Sequence, residues 1–289
     1  MLSRRPKKFP PPPMRLTERD KQILETIHAF DGLLSLRQID RLFFSGHGRS
    51  QPRARMHKLI ANGYIARPTP EQQHRIPLGE TVYWLGSKGA AVVAGLQGMT
   101  LRDFRWRQQP RLSQIDHSLA VTDFRLDVLQ AVAAQSELLL VSWVPEGEFL
   151  SQPDAVTYQS LSGRPRKRQV RPDGFFAIRH TNHPHPFAFL LEVDMGTEDN
   201  PRFAREKVRP GAAYLKSDLY KNRFGYHYGR YLVITTGPRR MQNMKAQTER
   251  TGGVGLFYFT TFAALTPETI FSQPVWWLAG KPEPQRIIP

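Results

Sequence analysis

The sequence predicts a two-domain chain of mixed α+β / α/β class, with a small basic helical domain ahead of a larger domain of helices around a sheet. Three observations predict it. Capped helical segments crowd residues 15–97 and end in two short strand-like runs. After residue 112, strongly apolar strand-like runs alternate with helical patterns. The net charge of +16 is unevenly spread: residues 1–112 hold 20 Lys/Arg against 8 Asp/Glu, and the rest 21 against 17. That concentration points to a polyanionic partner for the first domain rather than to a generally soluble surface.

Residues 1–14 read as a disordered basic arm, with Arg4, Arg5, Lys7 and Lys8 running into Pro10 to Pro13. Thr17 then makes a good N-cap, with Asp20 three residues on, and Ile23, Leu24, Ile27 and Phe30 follow at helical spacing up to Gly32. Ser35 and Gln38 form a capping box for a second helix, whose inner face is Leu36, Ile39, Leu42 and Phe43. Past Gly46 and Gly48, Ser50 caps a third helix, with Pro52 in its first turn and Met56, Leu59 and Ile60 on its core side, up to Gly63. At 100° per residue, Ser50, Gln51, Ala54, His57 and Lys58 point away from that stripe, and Arg53 and Arg55 flank it. Strands Tyr64 to Arg67 and Thr81 to Leu85 enclose a polar loop, and Ser87 to Leu96 is a fourth helix. This is the plan of a winged helix-turn-helix DNA-binding domain over residues 15–97. Short polar groups face base edges and arginines face phosphates, which makes Arg49, Ser50, Gln51, Arg53, Arg55, His57 and Lys58 the candidate contacts on the reader, and His74 and Arg75 those on the wing.

Residues 98–112 read as a linker, and residues 113–289 as a second domain of order α-β-β-β-α-β. Its helix runs from Leu112 to Gln135 and its first strand from Leu138 to Val144. Residues 151–171 read as a long exposed loop carrying Arg164, Arg166, Lys167 and Arg168, candidate phosphate contacts. Strands around Phe175–Ile178 and Phe187–Leu191 follow. Asn200 is the expected cap of the next helix, where Pro210 forces a kink or restart. A strand at Tyr231–Thr236, a helix at Pro238–Gly252 and a last strand at Val254–Thr260 complete the order, with Trp276 and Trp277 covering a sheet edge.

Two carboxylates sit in or beside those apolar runs: Asp173 in Arg171-Pro172-Asp173, and Glu192 in Leu190-Leu191-Glu192-Val193-Asp194. Buried carboxylates are costly unless paired or bound to a cation. Adjacent strands bringing them together make an oxygen-ligand site for Mg²⁺ or Mn²⁺, with Asp194 as a third acidic ligand. That is the layout of a restriction-endonuclease-like, PD-(D/E)xK-like core. The lysine expected two residues after the glutamate is Asp194 here, so Lys207 on the following helix is the candidate catalytic replacement. The competing expectation is a structural ion pair of these carboxylates with Arg205 or Lys207.

Other classes are excluded more simply. Zero cysteines remove disulfides, thiolate zinc sites and cysteine nucleophiles, as expected of a cytoplasmic protein. No apolar run reaches the roughly 18 residues of a membrane span, and no signal-peptide core follows the basic start. No P-loop and no G-x-S-x-G elbow is present. His183-Pro184-His185 lies in a Pro-rich loop, which disfavours a paired-histidine relaxase site.

The chain resembles the replication-relaxation family of plasmid and integrative-element proteins over roughly residues 16 to 236. The resemblance rests on Leu16-Thr17-Glu18-Arg19-Asp20, Leu85-Gly86-Ser87-Lys88-Gly89-Ala90, His117-Ser118-Leu119-Ala120-Val121, Arg171-Pro172-Asp173 and Leu191-Glu192-Val193-Asp194-Met195-Gly196-Thr197-Glu198. It implies a role in replication or mobilisation and no settled catalytic activity. The expected partners are double-stranded DNA, a replication or relaxase protein and a second copy of the chain, and no membrane. The leading expectation is a DNA-binding factor with a degenerate nuclease-like domain. The second is a Mg²⁺-dependent nickase or endonuclease using Asp173 and Glu192.

Overall fold

A computed structural model describes residues 14–44, 50–74, 76, 79–160, 162–196 and 199–289. Residues 1–13 of the basic arm, the expected loop at Gly46 and Gly48, Arg49 and Arg75 lie outside these residues. The chain is of mixed α+β class and divides into two compact units, Met1–Leu119 and Ala120–Pro289.

In the first unit the order is α1 (Glu18–Ala29), β1 (Leu34–Ser35), α2 (Leu36–Phe43), α3 (Ser50–Ala61), β2 (Ile65–Ala66), α4 (Pro70–Gln73), β3 (Val82–Leu85) and α5 (Ser87–Leu96). Thr17 with Asp20 and Ser35 with Gln38 form reciprocal capping boxes on α1 and α2, so the helix starts read from the sequence hold. The chain leaves α1 through left-handed Asp31 and Gly32. Strands β1 and β2 both pair antiparallel with β3, giving the order β1-β3-β2. Helix α4 was not expected: Thr69 and Gln72 make a third capping box inside what reads as a polar loop.

The segment read as a linker belongs to this unit. Phe104 is buried against His28 at 4.5 Å between ring centroids. Ile115 and Leu119, at the start of α6 (Ile115–Ala133), join Leu33, Val82 and Trp84 in one apolar cluster. Few apolar residues among many charges made 98–112 look unanchored.

The second unit is built on a seven-stranded mixed sheet, ordered β12-β11-β10-β9-β8-β7-β4. Its strands are β4 (Leu138–Pro145), β7 (Gly174–His180), β8 (Phe187–Val193), β9 (Arg230–Thr235), β10 (Phe257–Thr261), β11 (Trp276–Leu278) and β12 (Pro284–Gln285). The β4–β7 and β7–β8 pairs are antiparallel, and β8–β9 and β9–β10 are parallel. Alternate residues serve opposite faces. Leu190 and Val233 join Phe203, Val208, Met241 and Met244 on one side, and Phe189, Leu191, Leu232 and Ile234 join Phe124 and Val128 of α6 on the other.

Several expectations need correction here. Residues 151–171 are no long loop. After α7 (Glu146–Ser151), β5 (Asp154–Gln159) and β6 (Pro165–Val170) form an antiparallel hairpin closed at Gly163, whose φ of +76° suits glycine. Its exposed basic strand masked the alternation that buries only Val156 and Val170. Trp276 and Trp277 do not cover an edge but form β11, paired to β10. The expected last strand is therefore followed by two more. At α8 (Asn200–Phe203), the residue whose carboxylate accepts a helix N–H, that of Arg202, is Asp199 at 2.6 Å, so the cap lies one residue before Asn200. Pro210 is accommodated by a π-helical turn over Ala204–Val208, in which Arg209 donates to the Ala204 carbonyl, before α9 (Arg209–Leu215). Helix α10 (Asp218–Phe224) had no clear sequence signal, and α11 (Pro238–Arg250) ends two residues early.

Candidate functional site

In the first unit, the residues of interest ride on α3. Pro52, Met56 and Leu59 are buried, and this stripe turns Ser50, Gln51, Arg53, Ala54, His57 and Lys58 to the exposed side. No acidic residue lies on the helix, so the exposed face carries positive charge alone.

Arg55 is placed differently from the rest. Its Nε donates to Asp20 Oδ1 at 2.6 Å, and a second guanidinium nitrogen pairs with Asp20 Oδ2. Asp20 is wholly buried and also accepts from the Thr17 N–H at 2.6 Å and the Thr17 hydroxyl at 2.7 Å. Burial pushes the Asp20 carboxyl up, but the hydrogen bonds from Arg55 and Thr17 outweigh it and hold it below its ordinary value. One carboxylate thus caps α1 and ties α1 to α3. The sequence could give the capping role from spacing; the Arg55 partnership, 35 residues away, left no local signal. His74 is exposed at the end of α4.

In the second unit, Asp173 and Glu192 come together as the sequence suggested. The β7–β8 register pairs Gly174 with Leu191, and one further step sets Asp173 opposite Glu192. Asp173 is tied to the next strand twice: its N–H donates to the Leu191 carbonyl at 2.8 Å, and its Oδ2 accepts from the Val193 N–H at 2.6 Å. Glu192 is buried, and both its oxygens meet Lys207 Nζ, at 2.9 and 2.8 Å. Lys207 also donates to the Arg171 carbonyl at 3.2 Å. It stands in the π-helical turn forced ahead of Pro210.

Asp194 does not join them. Arg240, in the first turn of α11, grips it with two hydrogen bonds of 2.5 and 2.7 Å, and the Thr235 hydroxyl adds a third at 2.5 Å. The expected three-carboxylate metal site is therefore not assembled. Among the described residues, no group of three or more His, Asp or Glu is placed to hold a metal ion. What remains is a pair of carboxylates with one lysine.

This cluster opens on a cavity of about 370 Å³. Glu192, Lys207, Arg171, Lys167, Arg168 and Glu206 contribute to its lining, and Tyr231 closes it. Burial, then the charge on Glu192, pushes the Tyr231 hydroxyl well up, so it stays protonated. Of the expected phosphate contacts on the hairpin, Arg168 is bound to Glu206 at 2.7 Å, whereas Arg164, Arg166 and Lys167 are exposed. Burial raises the Glu206 carboxyl, but Arg168, Arg202 and Arg205 together hold it below its usual range. The Arg168–Glu206 and Arg240–Asp194 pairs were both missed in the sequence, because their members lie 38 and 46 residues apart.

The model of the replication-relaxation family matches residues 24–226, which is more than half the chain. The chain belongs to the replication-relaxation family. No curated protein and no solved structure matches it. For this replication-relaxation protein, the matched segment contains α2, α3, the β5–β6 hairpin and the Asp173–Glu192–Lys207 cluster, so both candidate regions lie within the family's common part. Among the described residues, no helix is long and apolar enough to cross a membrane.

Proposed function

We propose that the chain is a double-stranded DNA-binding protein of a plasmid or integrative element, acting in its replication or mobilisation through a winged helix-turn-helix. One observation carries this reading: the exposed, acid-free face of α3 within the order α1-β1-α2-α3-β2-β3 and the sheet β1-β3-β2. In a winged helix the third helix enters the major groove and the β2–β3 connection flanks it. Gln51 and His57 are the proposed base contacts, with Ser50 beside them; Arg53 and Lys58 are the proposed phosphate contacts, and His74 lies on the wing. Arg164, Arg166 and Lys167 on the hairpin are a second proposed set of phosphate contacts. Family membership supports the replication setting.

The second domain is proposed to be a restriction-endonuclease-like fold whose centre has become structural. Its core order α6-β4-β7-β8-helices-β9 supports the fold. The closed Glu192–Lys207 pair and the capture of Asp194 support the degeneracy.

A Mg²⁺- or Mn²⁺-dependent nickase is the second reading, favoured by the placement of Asp173 opposite Glu192 with Lys207 beside them. There the two carboxylates would hold the ion. Anisotropy titration of the full chain with duplex DNA tests the first reading: affinity should fall steeply between about 50 and about 200 mM salt through counterion release. Supercoiled plasmid incubated with Mg²⁺ or Mn²⁺ tests the second. Plasmid that stays supercoiled is the expected result, and nicking lost in Asp173→Asn would promote the nickase reading.

A further inference from the structure

The cavity beside Glu192 holds more positive charge than its carboxylates neutralise. Lys207 is closed on Glu192 at 2.8 Å and Arg168 on Glu206 at 2.7 Å. Arg171 and Lys167 are left over on the lining, both exposed; Arg171 donates only to the neutral amide of Gln169, and Lys167 meets no carboxylate among the described residues. The two surplus cations stand where the hairpin strand β6 borders the cavity. The two carboxylates stand with Lys207 and the π-helical turn. A volume of about 370 Å³ is far more than one phosphate needs and lies at the lower end of the range for small-molecule sites.

We propose that this cavity binds a nucleoside monophosphate unit, with its phosphate on Arg171 and Lys167. The phosphate belongs on Arg171 and Lys167, because Lys207 and Arg168 are already engaged by Glu192 and Glu206, whose charges repel a further anion. Those same carboxylates accept hydrogen bonds only, which suits sugar hydroxyls and base amino groups. Tyr231, Pro210 and Gly211 supply apolar wall for the nucleoside. The unit is either a free nucleotide or the phosphorylated end of a DNA strand, and the exposed Arg164 and Arg166 extend the positive track away from the cavity. The site uses no metal ion. It rests on the nucleic-acid reading above and gives the second domain a ligand of its own.

Isothermal titration of the full chain in EDTA tests it, with dAMP, 5′-phosphorylated dT8 and unphosphorylated dT8 as probes. Phosphorylated dT8 should bind about tenfold tighter than unphosphorylated dT8, as one charge-assisted contact requires. Arg171→Ala and Lys167→Ala should each weaken it about tenfold, and Arg171→Lys should recover part of the loss. Both alanine variants should keep the wild-type melting temperature, since both side chains are exposed. Binding of dAMP with the same variant pattern marks a free-nucleotide site; its absence beside tight phosphorylated dT8 marks a strand-end site. A 5′-phosphate that adds nothing, or variants that bind like wild type, would overturn the proposal. Arg53→Ala/Lys58→Ala serves as the reference and should lose duplex binding while keeping the cavity ligand: that result without a 5′-phosphate preference would overturn the cavity proposal alone, and a 5′-phosphate preference in a chain that binds no duplex would overturn the winged-helix reading alone.

Discussion

Replacing Arg55 by Met separates a strut from a DNA contact. The change keeps most of the side-chain volume and removes both hydrogen bonds to Asp20, whose carboxylate is fully buried. Breaking a buried pair by deleting one partner costs about 3–5 kcal/mol, because a charge is left uncompensated. Asp20 keeps its two bonds from Thr17, so the lower end, about 3 kcal/mol, is expected. For a unit of this size that lowers the melting temperature by roughly 10 °C or more. The pH dependence has a definite sign. The folded Asp20 carboxyl is held below its ordinary value, so its contribution is full above the unfolded value of about 3.9 and is lost as pH falls through the folded value. Differential scanning calorimetry should therefore show a wide gap between wild type and Arg55→Met at pH 7 that narrows in acid. The double variant Asp20→Asn/Arg55→Met should recover about 2 kcal/mol relative to the sum of the single changes. Arg55→Met melting within about 0.5 kcal/mol of wild type while losing affinity for all duplexes alike would refute the reasoning, and Arg55 would be a phosphate contact after all.

Three further outcomes follow from the packing. Gly89→Ala sets a Cβ 2.0 Å from the Tyr64 carbonyl oxygen and should cost about 3 kcal/mol or more, whereas Gly95→Ala on the same helix meets nothing within 4 Å and should be neutral to stabilising; urea midpoints compare them. Arg240→Ala removes both guanidinium hydrogen bonds from the half-buried Asp194 carboxylate while the Thr235 hydroxyl stays on it, and should lower stability by about 2 kcal/mol in the same assay, with Arg240→Lys intermediate because a lysine cannot make the two-point contact. Millimolar Mn²⁺ should leave the wild-type melting temperature unchanged, since Lys207 already neutralises Glu192; a metal-induced rise that Asp173→Asn abolishes would favour the nickase reading instead.

What the sequence revealed was local. Helix starts at Thr17 and Ser35 came through because a capping box spans three residues, and β7 and β8 because their apolar runs of four and five residues stand out from the polar sequence around them. The juxtaposition of Asp173 and Glu192 was legible for the same reason: two consecutive strands meet side by side. The β5–β6 hairpin was not legible, because a strand that exposes arginines and lysines carries the composition of a loop. The pairing of a carboxylate with Lys207 was among the expectations, but the π-helical turn that carries Lys207 to Glu192 was not, and Arg240 takes Asp194 from 46 residues away with no short-range pattern. Arg55 lay on the border between the two faces of α3, where the helical wheel alone gives no decision between solvent and Asp20.

The most direct test of the account is a salt series of duplex-binding titrations on the full chain and four α3 variants, using a site selected from random DNA. Arg53→Ala and Lys58→Ala should weaken every duplex alike and flatten the slope of log affinity against log salt by about 0.9 each. Gln51→Ala and His57→Ala should cost about 1–3 kcal/mol on the selected site and almost nothing on random DNA. No duplex binding at low salt, or four variants indistinguishable from wild type on both DNAs, would contradict α3 as the reader.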